Sequence, residues 1–298
     1  MMSAMTDTPP HPSGAIAALV DCGDGRRLDR FGPYLLDRPA PAAERLVAAD
    51  RSSWLAAAAR YERGHAGPGA WHGSGVPTGR WPVRLGGLTF ELRLTETGQV
   101  GVFIEQVPMW RWLRKRIRDA GRPISLLNLF AYTGGSSLAA ASAGASVVHV
   151  DGSRGAVGWA RRNAELSELS GASIRWIVDD VAAFVRRELK RGSRYDAVVL
   201  DPPSYGHGPR REQWRLEERL PELLRACATL TDGRRAFLLV TTHTPGFGPD
   251  RLERELAAAI RPDELVLGQL ESGPLELVAV SGVRLPLGAF ARWIARGA

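Results

Sequence analysis

The chain has 298 residues, 44% hydrophobic and 24% charged, with a formal net charge of +7. That length suits one large domain or a medium and a small one, and no apolar run approaches the ~18 residues a membrane span needs. Cys22 and Cys227 are the only cysteines, too few for a disulfide framework or a metal site, so a metal-free protein of the reducing cytoplasm is expected.

The basic balance suits a polyanionic partner such as RNA. Lys115 and Lys190 are the only lysines among 39 basic residues, however, and a composition rich in Ala, Gly, Pro and Arg raises the charge without any partner. Residues 1–14, with Pro, Ser and Thr but no basic start before an apolar stretch, predict a disordered tail and no secretory leader. Residues 15–105 read as short strands and turns, hence a small β-rich domain. Segments 16–20 and 26–31 flank Gly23-Asp24-Gly25, segments 81–85 and 88–94 flank Gly86-Gly87, and 100–104 follows a turn at 95–98. Residues 42–61 are Ala-rich and predict a helix toward their end, and 64–79 form a Gly- and Pro-rich loop. Trp54, Trp71 and Trp81 lie among Arg51, Arg60 and Arg80; they either stack on RNA or form this domain's core.

From 106 to 298 strand and helix alternate, the pattern of a parallel sheet covered on both faces. A helix over 107–120 sets Val107, Trp110, Leu113 and Ile117 on one side, with Arg111, Arg114, Lys115 and Arg118 around the rest. Strands are predicted at 124–130, 146–151, 174–179, 197–201 and 236–241, with helices at 136–143, 154–166, 181–190, 213–230 and 249–260. A last pair is predicted at 264–270 and 275–281. The result is a doubly wound, mostly parallel, seven-stranded α/β sheet.

The first of these strands ends in Asn128-Leu129-Phe130-Ala131-Tyr132-Thr133-Gly134, a glycine turn opening a helix, which brings backbone close to a ligand. The dinucleotide fingerprint G-x-G-x-x-G is absent, which counts against a nicotinamide or flavin enzyme. The next strand ends in Asp151, placed to accept both hydroxyls of a ribose. The third ends in Asp179-Asp180, where one carboxylate can meet an adenine amino group or simply cap the following helix. The fourth ends in Asp201. Four successive strand ends carrying Gly, Asp, Asp and Asp point to a nucleoside-bearing cofactor.

Asp201-Pro202-Pro203-Ser204-Tyr205 then continues as a stiff segment. Two prolines fix φ and lack N–H donors, leaving carbonyls free for a substrate, and the adjacent Tyr205 can stack on a planar base. His243 can serve as a general base or as a plain strand-end polar residue. His207, Arg210 and Arg211 share a loop beside the clamp, the arginines facing a phosphate or solvent.

These motifs carry a resemblance. Residues 126–134, Asp151 and the 201–205 segment resemble the large-subunit ribosomal RNA methyltransferases that make 5-methylcytosine or 7-methylguanine. Gly101-Val102-Phe103-Ile104-Glu105-Gln106 is similar to their G-x-F-x-D-Q segment, with Glu for Asp. Over about residues 80–285, the resemblance implies a class I methyltransferase sheet with an antiparallel last strand, and S-adenosylmethionine as cofactor. It implies that Phe130, Ala131, Tyr132, Thr133 and Gly134 line the methionine part, with Asn128 and Ser153 also at the cofactor. Asp151 would hold the ribose, Asp180 the adenine, and Gln106 would close the pocket. Asp201, Pro202, Pro203 and Tyr205 would face the methyl group and its acceptor. In one respect the chain departs: the cytosine-C5 branch attacks C6 with a cysteine after the fourth or fifth strand. Here those places read Pro203-Ser204 and Thr241-Thr242-His243-Thr244.

Nitrogen methylation needs no thiol, so the expected function is methyl transfer to a nitrogen of a nucleic-acid base, in ribosomal RNA, by a cytoplasmic RNA-binding enzyme of rRNA processing. The small β-rich domain would help hold the substrate. Alternatives are a protein side-chain amide or small-molecule acceptor, cytosine C5, and a non-catalytic RNA-binding protein. A monomer and a homodimer fit equally.

Overall fold

A computed structural model describes residues 16–64, 67, 69–207 and 213–296. The tail expected at 1–14 and the loop arginines Arg210 and Arg211 lie outside the described residues.

The larger sheet holds β1 (Ser125–Leu129), β2 (Ser146–Asp151), β3 (Ile174–Val178), β4 (Ala197–Leu200), β5 (Phe237–Thr242), β6 (Gly268–Val278) and β7 (Arg284–Ala295). Their order across the sheet is β3-β2-β1-β4-β5-β7-β6. Strands β1 to β5 run parallel, and β7 runs antiparallel to β5 and β6. The central strands are apolar without alternation: all of Ala197-Val198-Val199-Leu200 and all of β5 are buried. This is what a parallel strand covered on both faces requires. The covering helices are α1 (Val107–Asp119), α2 (Gly135–Ala141), α3 (Arg154–Leu166), α4 (Val181–Lys190), α5 (Leu216–Leu230) and α6 (Pro249–Ala259). Each fully buried leucine beneath them, such as Leu126, Leu127 and Leu129, contributes about 1.5–3 kcal/mol. The strand order reverses between β1 and β4, which opens a crevice beyond their carboxyl ends, the usual ligand position in such sheets.

The last two strands differ from the expected 264–270 and 275–281. Gly268–Val278 is one strand, and Arg284–Ala295 is its partner. Gly273-Pro274 reads as a break, but β6 is an edge strand, where proline is tolerated.

Residues 17–72 build a five-stranded sheet from Ala17–Gly23, Arg26–Phe31, Tyr34–Pro39, Ala59–Glu62 and Ala70–His72, in that order. A separate hairpin joins Trp81–Leu85 and Leu88–Leu92. Gly86 and Gly87 have φ of 58° and 79°, the left-handed pair that a tight two-residue hairpin demands. The helix expected late in 42–61 is reduced to Arg51–Leu55, capped by Asp50, because Ala59–Glu62 instead pairs parallel with Tyr34–Pro39. The strand expected at 100–104 is not formed; Arg93 N–H bonds Val100 O, and a 3-10 turn at Ile104–Gln106 leads into α1. All three tryptophans donate their ring N–H within the protein: Trp54 to Asp21, Trp71 to the Thr95 carbonyl and Trp81 to the Phe31 carbonyl. Trp81 is buried in the hydrophobic cluster of these strands and Trp71 packs against it.

One hydrophobic cluster joins Phe31, Leu36 and Phe90 of the N-terminal strands to Val107, Trp110 and Leu138. The turn after β6 adds hydrogen bonds from Val280 and Ser281 N–H to the Leu19 and Val20 carbonyls, 3.0 and 3.1 Å.

Candidate active site

Beyond β1, β2 and β4 lies a cavity of about 640 Å³, within the usual range of small-molecule sites. Its walls include Phe130, Asp151, Asp180, Asp201, Trp214 and His243. A smaller extension of about 50 Å³ runs beneath the turn after β1, between Gln106, Asn128, Ala131, Thr133 and Asp201.

The turn itself is held in an unusual shape. Phe130 and Tyr132 have φ of 53° and 48°, and Gly134 has φ of 95°. A left-handed non-glycine residue costs about 1–3 kcal/mol, so the surroundings must enforce it. Ala131 N–H bonds Val150 O at 3.1 Å, and Tyr132 N–H bonds Asp151 Oδ2 at 2.8 Å. The buried Thr133 hydroxyl donates to the Gly101 carbonyl at 2.6 Å. Asn128 donates to Ser137 Oγ at 2.8 Å, and that hydroxyl meets His149 Nδ1 at 3.0 Å. The side chains of Asn128 and Thr133 therefore brace the turn. Gly134 is not in either wall; it opens α2.

Asp151 ends β2. Its Oδ2 accepts from Tyr132 N–H and its Oδ1 from Ser153 N–H, both at 2.8 Å. Burial pushes its carboxyl above the ordinary 3.8, with those two N–H bonds pulling the other way. Ser153 lines the cavity and also caps α3, its Oγ accepting from Ala156 N–H at 3.2 Å. Asp180 does both as well: Oδ1 accepts from Ala183 N–H at 2.7 Å to cap α4, while the residue lines the cavity.

At the other end, Asp201 is held by two donors. Thr241 Oγ1 donates to Oδ1 at 2.7 Å, and Gln106 Nε2 donates to Oδ2 at 3.1 Å. Gln106 is thus buried behind the carboxylate and fixes it. His243 Nδ1 lies 2.9 Å from the Leu287 carbonyl, which makes that nitrogen the protonated one. Its Nε2 lies 3.5 Å from Gln106 Nε2 and 3.8 Å from Asp201 Oδ2. Burial opposes charge on this ring; Asp201, Glu105 and the Leu287 carbonyl outweigh it, and its pKa is raised above 6.5.

Pro202 and Pro203 line the cavity, but Tyr205 does not: it is 77% exposed. Tyr205–His207 pairs antiparallel with Gln213–Arg215, setting Gly206 opposite Trp214 and Tyr205 opposite Arg215. Side chains alternate along a strand, so Trp214 faces the cavity and Tyr205 faces out. Trp214 packs on Phe130 with centroids 4.9 Å apart, and its N–H bonds the Pro203 carbonyl at 2.6 Å. One of the carbonyls read as open to substrate is therefore taken. Sequence reasoning missed Trp214, because 213–230 was expected to be one helix and Gln213–Arg215 is instead a strand. Neither cysteine lines the cavity. Cys227 is buried in the core on α5, its thiol pushed up to about 12 by desolvation, and Cys22 is buried among Leu19, Ala40 and Leu285.

The cavity fits a nucleoside cofactor. Asp151 and Asp180 stand on successive strand ends with acceptor capacity left, Phe130 and Trp214 give an apolar wall, and the extension under the turn suits an aliphatic tail.

The sequence model of the S-adenosylmethionine-dependent methyltransferase family matches residues 38–282. The solved SAM-dependent methyltransferase from Agrobacterium tumefaciens is 36% identical and superposes with a TM-score of 0.87, covering 95% of this chain and 91% of that one. A Streptococcus mutans methyltransferase at 17% identity and a TM-score of 0.73 shares the fold. Among named relatives, ribosomal RNA large subunit methyltransferase K/L of Syntrophotalea carbinolica is 36% identical over 127 residues, 42% of this chain. Ribosomal RNA large subunit methyltransferase I of Escherichia coli is 30% identical over 131 residues, 44% of this chain. The chain spans 17% of the first relative and 32% of the second. With most of its length matched by the family and its strand-end carboxylates around one cavity, the chain belongs to the S-adenosylmethionine-dependent methyltransferases.

Proposed function

We propose that this protein transfers a methyl group from S-adenosylmethionine to a nitrogen of a nucleic-acid base in ribosomal RNA. The observation that carries the reading is the acceptor end of the cavity. A fixed carboxylate, Asp201, stands beside Pro202, Pro203 and His243, between aromatic walls and with no thiol. That arrangement suits a planar nitrogen acceptor and offers no nucleophile for attack at cytosine C6. The two relatives named as large-subunit rRNA methyltransferases support RNA as the acceptor.

The bound cofactor supplies an electrophilic methyl group on a sulfonium. Asp151, with Ser153 at the next turn, holds the ribose, and the free oxygen of Asp180 accepts from the adenine amino group. Asn128, Phe130, Ala131, Tyr132 and Thr133 shape the channel for the methionine part. Gln106 and Thr241 hold Asp201 against rotation, so that its carboxylate and the Pro202 carbonyl orient the acceptor nitrogen. Alignment of this kind supplies most of the rate. His243 Nε2 receives the proton when the acceptor is an N–H. The strands of residues 15–105 help hold the substrate, and 106–298 carry the chemistry. An rRNA substrate implies a cytoplasmic enzyme.

The test is tritiated methyl transfer into a lysate of a strain lacking the protein. Label released by ribonuclease, and found in an N-methylated nucleoside, supports the reading. Label released only by protease favours a protein amide acceptor.

A further inference from the structure

A second cavity, of about 400 Å³, adjoins the first and shares Thr97, Gln99, Phe103 and His243 with it. It lies between the N-terminal strands and the catalytic sheet, with Arg27 and Arg38 from the former and Pro245 and Leu287 from the latter. Its floor includes Glu105, which is only 3% exposed. Glu105 Oε2 has no hydrogen-bond partner among the described residues, and Oε1 lies 3.8 Å from His243 Nδ1, beyond hydrogen-bond reach.

A buried carboxylate oxygen without a donor is costly. Nearby cations do not supply one. Arg27 and Arg38 each direct a nitrogen fork onto Asp29 at 2.7 to 3.1 Å, and His243 Nδ1 is engaged by Leu287. An N–H on a molecule that enters the cavity would supply that donor. One wall is planar, the Phe103 and His243 rings being stacked with centroids 5.7 Å apart and planes 28° apart. The rim carries the exposed Arg63.

We propose that this second cavity receives the target nucleotide, its base against the Phe103–His243 wall, with Glu105 accepting a hydrogen bond from an N–H of that base and Arg63 meeting the phosphodiester. The inference rests on the RNA reading above and adds the route and the recognising residue. The base enters from the N-terminal strands, unstacked from its neighbours as base-modifying enzymes require, and its reacting nitrogen reaches Asp201 past His243. A cavity of this size accepts a single nucleotide and no duplex.

The test compares the full-length wild type with Glu105→Gln, Glu105→Asp and Arg63→Glu. The substrate is total ribosomal RNA from a strain lacking the protein, and cofactor affinity is read by calorimetry on the same preparations. Glu105→Gln keeps the shape and removes the charge, so kcat/KM for RNA falls roughly 10- to 150-fold, the range for a lost charge-assisted bond. Cofactor dissociation constants stay within about twofold. Glu105→Asp recovers part of the loss, because the carboxylate remains. Arg63→Glu raises KM and leaves kcat, a split that a purely structural role would not produce. Since Arg63 is exposed, it reports on the cavity even if Glu105→Gln fails to fold. Wild-type labelling of RNA with unchanged kinetics in Glu105→Gln and Arg63→Glu overturns this inference alone. Wild-type labelling of protein only overturns the RNA reading, and this inference with it.

Discussion

Replacing Asp151 by Asn separates a ligand-binding carboxylate from a merely structural one. Both oxygens of Asp151 already accept a backbone N–H, from Tyr132 and from Ser153, at 2.8 Å each. Each keeps one lone pair for a ribose hydroxyl. In the Asn variant the oxygen retains one backbone bond, while the NH2 group faces the other N–H, donor against donor. The ribose also loses a charge-assisted acceptor, worth about 1.5–3 kcal/mol, or a 10- to 150-fold weaker dissociation constant. Alanine would strip both backbone anchors from a turn that carries two left-handed residues, so Asn is the sharper probe. Calorimetry with S-adenosylmethionine, alongside circular dichroism, measures the effect. Because burial raises the Asp151 pKa, wild-type affinity should weaken on acidification at a pH above 3.8, and the Asn variant should lack that limb. The sign for folding is opposite to that of a salt-bridged aspartate: stability linked to this group declines as pH rises from 3.8 through the raised value. A folded Asn variant with wild-type affinity would refute the assignment of Asp151 to the ribose.

A Cys22→Ser, Cys227→Ser double variant should keep methyl transfer and trap no adduct with 5-fluorocytosine RNA, since both thiols are buried away from the cavity; a trapped wild-type adduct would contradict this. His243 has a raised pKa, so its contribution to stability should be complete below 6.5 and lost as pH rises through the raised value. Melting curves of wild type and His243→Gln across that window check it, and a gap that widens with pH would be the wrong sign. Trp214→Ala should weaken cofactor binding by roughly 0.5–1.5 kcal/mol beyond its lost contact area, as read by calorimetry; unchanged affinity would place the ring outside the adenine wall. RNA affinity should fall linearly with salt on logarithmic axes, and a flat plot in filter binding would argue against phosphate contacts.

Much of the catalytic sheet was legible because its strands are unbroken apolar runs and its helices have clear starts. The segments 146–151, 154–166 and 181–190 coincide with β2, α3 and α4. Ser153 and Asp180 mark two of those starts as caps. The C-terminal pair was misplaced because a proline inside an edge strand looks like a turn. The end of 42–61 was read as helical from its alanines, although pairing with Tyr34–Pro39 makes Ala59–Glu62 a strand, and pairing of that kind has no local signature. At the site, the acidic strand ends were readable from spacing alone. Which aromatic faces the cavity was not, because it depends on the register of a small hairpin that sets Trp214 inward and Tyr205 outward. Helix α1 carries its basic residues away from the cavity. It begins next to Gln106 and advances about 1.5 Å per residue, carrying the exposed Lys115 and Arg118 about 14 to 18 Å along its axis from Gln106.

The central claim, a methyl group placed on a nitrogen of an rRNA base, is tested most directly by mass spectrometry of ribosomal RNA nucleosides from strains with and without the gene. The account predicts that one N-methylated nucleoside is lost in the deletion strain and restored by wild type but not by Asp201→Asn. Loss of 5-methylcytidine instead, or identical nucleoside profiles in the two strains, would contradict it.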